Sequence, residues 1–257
     1  MKTQLVSAIG DVAVHFVEHG SGRDVLLLHG GGGPQTVEDF GVLLAESLDA
    51  HVVVPTHPGF AGTPRPERLH TIAGLAEVYV GLLDQLDLVD VMVVGNSIGG
   101  WIAAEMALLG SPRIGSVVLV DAVGIEVATH PVADFFSLTF PEIAELSYHD
   151  PDRFRIDPTA LPPAAQAQLA ANRTTLALYA ADMVDPGLRK RLTGITLPTL
   201  VVWGECDRIV DSDYGRAYAD AIPGAQFQLL PDTGHLPQLE SPDRLAAALQ
   251  SFSSTAD

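Results

Sequence analysis

Three residues of the types that carry out acyl transfer each lie just after a predicted strand: Ser97, Asp207 and His235. A serine hydroxyl is a weak nucleophile at neutral pH until a base takes its proton, and a histidine base needs a carboxylate that orients it. If these strands are parallel, their carboxyl ends meet at one edge of a sheet. The sequence therefore predicts hydrolysis of an acyl compound, with Ser97 as nucleophile, His235 as base and Asp207 as the carboxylate.

The serine lies in a turn that is crowded with glycine. Residues 91–94 form an unbroken apolar run, typical of a strand covered on both faces, and the spacing G-x-S-x-G follows at once, with Gly95 and Gly99 around Ser97. Apolar residues at helical spacing come next, so the strand passes directly into a helix. Glycine-rich turns also bind phosphate, but the chain contains no G-x-x-x-x-G-K-S/T and the turn lacks the order G-x-G-x-x-G.

This turn resembles the nucleophile elbow of the α/β-hydrolase family, in which a strained backbone holds the serine clear of the sheet. The order Ser97, Asp207, His235 is also the order of that family's triad. The flanking pieces G-E-C-D-R-I-V and T-G-H-L-P resemble the family's last two motifs, so the resemblance covers nearly the whole chain apart from residues 126–194. It implies an acyl-enzyme formed on Ser97.

Two further loops resemble motifs of the same family. Four glycines, residues 30–33, follow His29 as in the family's HGG-type loop, and the resemblance implies that the oxyanion hole consists of the N–H groups of Ile98 and of Gly31 or Gly32. The segment P-T-H-P-G-F-A-G at 55–62 resembles the D-x-P-G-x-G loop, with Thr56 where an acidic residue is common. His57 in this loop could reach the site entrance.

Apolar runs and amphipathic helices alternate along most of the chain, which predicts an α/β fold. We expect an eight-stranded, mostly parallel sheet flanked by helices, the α/β-hydrolase fold. Its strands would be residues 5–9, 12–17, 25–28, 51–54, 91–94, 116–120, 199–203 and 226–230. The first two strands would form an antiparallel edge around the turn Gly10-Asp11.

The alternation stops between residues 126 and 194, a proline-rich and aromatic-rich stretch that is too long for a plain loop. We expect it to be a helical cap inserted into a core formed by residues 1–125 and 195–257. An alanine-rich stretch at 164–183 predicts its main helix. The cap would choose the substrate.

Composition restricts the partners. The chain has 32 acidic and 14 basic residues among 257, a net charge of −18, which repels nucleic acid phosphates and anionic membranes. Its single cysteine, Cys206, excludes an intramolecular disulfide. No apolar run approaches 18 residues and no signal-peptide core occurs near the N-terminus. We expect a cytoplasmic monomer or homodimer that acts on a small molecule without cofactor or metal, and that has no nucleic acid or membrane partner.

Other functions fit parts of the same pattern. The sequences G-N-S-x-G-G and H-G-G-G also resemble the branch of the family that hydrolyses a carbon–carbon bond in a dienone acid, the meta-cleavage type. Its anionic substrates would need an arginine of the cap that faces inward, and Arg153, Arg155 and Arg173 are candidates. The fold also serves as a ligand-binding receptor in some relatives, or as a lyase or oxygenase.

Other carboxylates compete with Asp207 for the role of triad acid. Glu205 and Asp211 lie close to it in sequence, and Asp121 ends the preceding strand of the core, where some relatives of the family place the acid.

Overall fold

The computed structural model describes residues 1–7 and 10–254, and its centre is an eight-stranded sheet in the order β1-β2-β4-β3-β5-β6-β7-β8. The strands are β1 (Lys2–Val6), β2 (Val12–Gly20), β3 (Arg23–Leu28), β4 (Ala50–Thr56), β5 (Val91–Asn96), β6 (Ile114–Val120), β7 (Thr199–Gly204) and β8 (Gln226–Leu230). β2 is antiparallel to β1 and β4, and the other neighbours pair in parallel. This confirms the predicted fold class.

The hairpin at the sheet edge differs from its prediction in where the first strand lies. β1 begins at Lys2, which pairs with Phe16, and ends at Val6, which pairs with Val12. The predicted strand began later and ran to Ile9, which lies outside the described residues. Gly10 has a φ of +83°, a conformation that glycine adopts without strain, as expected for the turn.

Helices cover both faces of the sheet. They are α1 (Glu38–Leu48), α2 (Ile72–Gln85), α3 (Ile98–Leu108), α4 (Phe140–Ser147), α5 (Pro151–Phe154), α6 (Pro163–Tyr179), α7 (Leu188–Arg191), α8 (Ser212–Ala221), α9 (Pro237–Glu240) and α10 (Pro242–Ser253). Because side chains alternate along a strand, β3 sends Leu26 and Leu28 to the face under α2, α3 and α8, and Leu27 to the face under α1 and α10. The result is a buried core on each side.

Segment 126–194 lies between β6 and β7 and contains α4 to α7. The predicted helix at 164–183 is shorter in the structure, because α6 ends at Tyr179. The chain then turns back to the core, where Val184 forms a bridge to Gly124 and the N–H of Asp185 donates to the Gly124 carbonyl at 2.7 Å. A continued helix could not make these contacts, and Met183 has a φ of +54°.

The elbow helix α3 is buried on all sides, and Glu105 is its buried charge. Arg191 at the end of α7 binds this carboxylate with two hydrogen bonds of 2.6 and 2.7 Å, and also contacts Asp185 at 2.6 Å. The hydrogen bond to Glu105 raises the pKa of Arg191. This pair fastens the end of segment 126–194 to the helix that follows the serine.

Within the described residues, the helices are too short or too polar for any of them to cross a membrane.

Replacing Arg191 should destabilise the fold, because Glu105 would remain buried without its partner. We expect Arg191→Met to lower the free energy of unfolding by about 2 kcal/mol. The loss is smaller than that expected for a fully buried ion pair, because the Arg191 side chain is partly exposed to solvent. Urea unfolding measures this. The matched control is Arg189→Met, an exposed neighbour on the same helix, which should change stability by less than about 0.5 kcal/mol. Equal effects of the two variants would contradict the role of the pair.

Candidate active site

The predicted nucleophile lies at the turn from β5 into α3. Ser97 has φ 57° and ψ −119°, a strained conformation for a residue with a side chain. A Cβ at Gly95 would lie 2.1 Å from the Gly99 carbonyl oxygen, and one at Gly99 would lie 2.4 Å from that of Leu28. Both positions therefore require glycine, and the tight turn presents the Ser97 side chain at the sheet edge.

Asp207 and His235 come together from the loops after β7 and β8. The His235 ring nitrogen Nδ1 is 2.7 Å from Asp207 Oδ2, and both side chains are buried. The other oxygen of Asp207, Oδ1, accepts from the N–H groups of Ile209 at 2.8 Å and Val210 at 3.1 Å. Oδ2 is thus placed to accept a hydrogen bond from Nδ1–H of His235, an arrangement that would leave Nε2 available for proton transfer.

Ser97 and His235 line one cavity of about 180 Å³. Its wall is mostly apolar, and segment 126–194 contributes many of the residues that line it; the larger apolar ones are Phe135, Phe140, Ile143, Ile156, Leu169, Leu176 and Met183. No residue of the described chain bonds the Ser97 hydroxyl within 3.5 Å. Catalytic hydrogen bonds are often long before a substrate is bound. The serine–histidine contact therefore stays a prediction.

The two loops predicted to form the oxyanion hole lie beside the serine. A Cβ at Gly30 would come within 3.1 Å of the Ser97 Cβ, and Gly31 and Gly32 line the cavity. In the described part of the chain, no acceptor binds the N–H of Gly31 or Gly32. Ile98 is the first residue of α3, so its N–H has no acceptor within the helix. These N–H groups are therefore open to an acceptor, and their role as an oxyanion hole stays a prediction.

Asn96 and Gln238, which the sequence analysis did not single out, form a hydrogen-bonded pair that fixes the backbone of His235. The Asn96 side chain donates to the His235 carbonyl at 2.9 Å and to the Val120 carbonyl at 3.3 Å, and it accepts from Gln238 at 3.1 Å. All three contacts are buried. A polar residue at the end of an otherwise apolar strand was the only available signal, and it does not identify the partner.

The loop of His235 is also bonded to segment 126–194. The N–H of His235 donates to the Ser147 carbonyl at 2.7 Å, at the end of α4. Glu240 accepts from the N–H of Gly234 at 2.6 Å, and from those of His149 and Asp150 at 2.9 and 3.1 Å. Backbone contacts of this kind cannot be read from residue types, which is why sequence reasoning missed Glu240.

Asp121, the alternative acid, directly follows β6 and is fully buried. Its Oδ1 accepts from the N–H of Gly204 at 2.8 Å, whereas the carboxylate bonded to His235 is that of Asp207. Asp121, Asp207 and His235 each offer one metal-ligand type of atom, and these atoms lie within 4.8 Å of one another. Because Asp207 and His235 already bond each other, the geometry favours Asp207 as orienting carboxylate over a metal centre.

His57 packs beneath the site and does not belong to the cavity wall. Its ring lies 3.7 Å from that of His29, and both rings are fully buried. His57 Nε2 is 2.8 Å from the His29 carbonyl, the His57 N–H donates to His29 Nε2 at 3.0 Å, and Tyr79 donates to His57 Nδ1 at 2.5 Å. The hypothesis that His57 reaches the site entrance is therefore wrong, because its hydrogen bonds join the loops after β3 and β4.

The three arginines considered for an anionic substrate separate clearly. Arg153 and Arg155 are exposed, and Arg155 pairs with Asp152 at 2.8 Å. Arg173 on α6 lines the cavity, and its Nη2 donates to the carbonyls of three residues; these are Phe135, Phe136 and Leu138, at 3.1, 2.8 and 2.8 Å. Asp and Glu are absent from the described residues that line the cavity.

The buried histidine pair should make the fold sensitive to acid. Burial lowers the pKa of His57 from 6.5 to about 4, and burial and the neighbouring His57 lower the pKa of His29. Between pH 6.5 and pH 4, His57 binds a proton in the unfolded chain but not in the folded chain. The free energy of unfolding therefore has its full value above pH 6.5 and falls as the pH is lowered towards 4. His57 alone accounts for about 3 kcal/mol of this loss.

We expect His57→Gln to lose stability less steeply between pH 6.5 and 4 than the parent protein, since glutamine can make the same two side-chain hydrogen bonds without titrating. The check is urea unfolding at several pH values. The control is His70→Gln, an exposed histidine, which should keep the parent slope. A parent slope in the His57 variant as well would contradict the prediction.

Comparison with known proteins agrees with the architecture. The alpha/beta hydrolase family matches residues 25–248. A 2-hydroxy-6-oxo-6-(2'-aminophenyl)hexa-2,4-dienoic acid hydrolase of Metapseudomonas resinovorans is 25% identical over 260 residues, covering 95% of this chain and 88% of the relative. Lipase 1 of Psychrobacter immobilis is 28% identical over 280 residues, covering 97% of this chain and 83% of the lipase.

A solved structure is similar over its full length. The thermophilic esterase of Thermogutta terrifontis, with malate bound, superposes with a TM-score of 0.78 at 26% identity, covering 100% of this chain and 99% of the esterase. The family match spans most of the chain, including most of the sheet and the turn at Ser97. The chain therefore belongs to the α/β-hydrolase family.

Proposed function

We propose that the protein is a serine hydrolase that cleaves a small, largely apolar carboxylic ester or related acyl compound through Ser97, His235 and Asp207. The observation that carries this proposal is the 2.7 Å contact between His235 and Asp207 beside the cavity that Ser97 also lines. A strained serine at a helix start, a buried histidine and its carboxylate are the parts that acyl transfer needs.

In this proposal Ser97 Oγ attacks the substrate carbonyl carbon while His235 Nε2 takes the hydroxyl proton. Asp207 holds the Nδ1 proton of His235 and stabilises the imidazolium. The negative charge on the carbonyl oxygen is bound by the N–H of Ile98 and that of Gly31 or Gly32; losing one such donor costs about 3–4 kcal/mol of barrier. His235 then gives its proton to the leaving alcohol, and water releases the acid from Ser97 by the same steps.

The cavity wall supports an apolar acyl or alcohol group. Segment 126–194, which we propose to act as a cap, contributes most of the aromatic and aliphatic residues that line the cavity. Its α6 is bonded to the loops of the core: Asn172 accepts from the N–H of Ala61 at 3.0 Å, and Thr175 donates to the Gly59 carbonyl at 3.1 Å. Substrate selection in this proposal therefore depends on α6 and the residues after β6.

Ser97→Ala should lower ester hydrolysis by a factor on the order of 10⁶ and abolish labelling by a fluorophosphonate, because it removes the hydroxyl that forms the acyl-enzyme. The measurement is kcat/KM on a panel of p-nitrophenyl esters, with mass spectrometry of the labelled protein. The matched control is Ser147→Ala, since Ser147 is a buried serine on the same cavity wall. Unchanged hydrolysis by the Ser97 variant would end the proposal.

Arg173 favours a second candidate, hydrolysis of a carbon–carbon bond in an anionic dienone acid. Arg173 is the cationic residue among those that line a mostly apolar cavity, and a guanidinium attracts a carboxylate; the relative from Metapseudomonas resinovorans is named as a hydrolase of a dienoic acid. The three carbonyls bonded by Nη2 give Arg173 a structural role as well, so its effect on an anionic substrate must be separated from its effect on the fold.

We expect Arg173→Met to lower kcat/KM for a dienone acid at least about tenfold more than for a neutral ester, if the carboxylate binds Arg173. Steady-state kinetics on both substrates gives the ratio, with Arg153→Met as the exposed control. An equal loss on both substrates would assign Arg173 to structure alone and remove the support for the second candidate.

A further inference from the structure

Asp121 is a buried carboxyl group that the mechanism above does not use. It directly follows β6, has a φ of +45° and has no exposed surface. Oδ1 accepts from the N–H of Gly204 at 2.8 Å, but Oδ2 is buried without a hydrogen-bond donor among the described residues. A buried, ionised carboxylate oxygen without a donor lowers the free energy of unfolding. This cost is avoided if the carboxyl group carries a proton.

Its neighbours are the acid and base of the proposed triad. One oxygen of Asp121, one oxygen of Asp207 and one ring nitrogen of His235 lie within 4.8 Å of one another. Two carboxylates buried this close cannot both be ionised at neutral pH. One of the pair therefore keeps a proton.

The hydrogen bonds indicate which one. Asp207 accepts from three donors, the N–H groups of Ile209 and Val210 and Nδ1 of His235, and each of them favours its charged form. Asp121 accepts from one donor, the N–H of Gly204. The proton thus belongs on Asp121.

The charges around Asp121 act in the same direction. Burial raises the pKa of Asp121 well above its ordinary value, the charge of Asp207 raises it further, and the more distant Glu240 on α9 adds to the effect. The N–H of Gly204 opposes them. His235 is the group that could carry positive charge here, and its Nδ1 is directed at Asp207.

We propose that Asp121 is a neutral positioning residue that donates a hydrogen bond from its carboxylic acid to the Asp207 carboxylate and so limits how strongly Asp207 holds the protonated form of His235. The proposal rests on the proposed function, since His235 is taken as the base. No proton leaves Asp121 during turnover. Its donor spreads the single negative charge over two carboxyl groups, so the imidazolium gives up its proton more readily to the leaving group.

The protonation state can be measured without activity. In an infrared difference spectrum at neutral pH, parent protein minus Asp121→Asn should show the C=O stretch of a protonated carboxylic acid. Asparagine suits this position because it tolerates positive φ, accepts from Gly204 and donates to Asp207. The surface control Asp220→Asn should remove a carboxylate band only. Absence of the acid band from the Asp121 difference would overturn the proposal.

The pH–rate profile tests the positioning role. Asp121→Gly also fits a positive φ, but it removes the donor. Asp207 then holds the imidazolium more strongly, and the acidic limb of kcat/KM should move up by about one pH unit. Asp121→Asn restores a donor, so its acidic limb should return to the parent position whatever its maximal rate.

A downward shift of the acidic limb of kcat/KM would mean that Asp121 is ionised. If Asp121 were ionised, either substitution would remove a negative charge near His235, and both acidic limbs would move down. A downward shift in both variants therefore overturns the proposal, and so does an unshifted Asp121→Gly. Failure of the proposed function is distinguishable, because it would appear as active Ser97→Ala, whereas the infrared measurement does not need the triad to work.

Discussion

The close approach of two stretches of backbone determines where everything else at the site must lie. At the turn from β5 to α3, Gly99 packs against the Leu28 carbonyl and Gly95 against Gly99 itself, with no room for a Cβ at either position. This contact fixes the strained conformation of Ser97 and brings the glycine loop after β3 beside it. The strain is maintained because α3 is buried on every side and cannot shift to relieve it.

The remaining parts of the site are held mainly by backbone groups. The N–H of His235 binds the end of α4, its carbonyl binds Asn96, and the N–H of Cys206 donates to the Thr233 carbonyl at 2.8 Å. On the other side of the serine, His57 binds both the backbone and the ring of His29. Segment 126–194 is hydrogen-bonded to the loop of His235 and to the loop after β4, which makes it a structural part of the site.

The sequence predicted the parts of this arrangement that depend on local pattern. The sequence pattern located seven of the eight strands and placed the first one too far along the chain, while glycine spacing located the turn at Ser97. Prediction was less successful where a long-range contact decides the structure. The end of α6 follows from the bridge between Val184 and Gly124, and the burial of His57 follows from Tyr79, which is distant in sequence. Neither partner is visible in the local sequence.

Asp121 shows the same limit for electrostatics. Its position after β6 made it a candidate acid, equal in residue type to Asp207, and only the donors around each group distinguish them. Backbone N–H groups surround Asp207 because the loop after β7 turns back at Ile209 and Val210, whereas Asp121 is enclosed by β6 and β7 with a single donor. Two identical side chains a few ångströms apart thus take opposite charge states. The number of hydrogen-bond donors around Asp121 and around Asp207 favours the neutral form of the first and the charged form of the second. Most of these donors are backbone N–H groups, so the fold determines the chemistry of this site through its backbone as much as through its side chains.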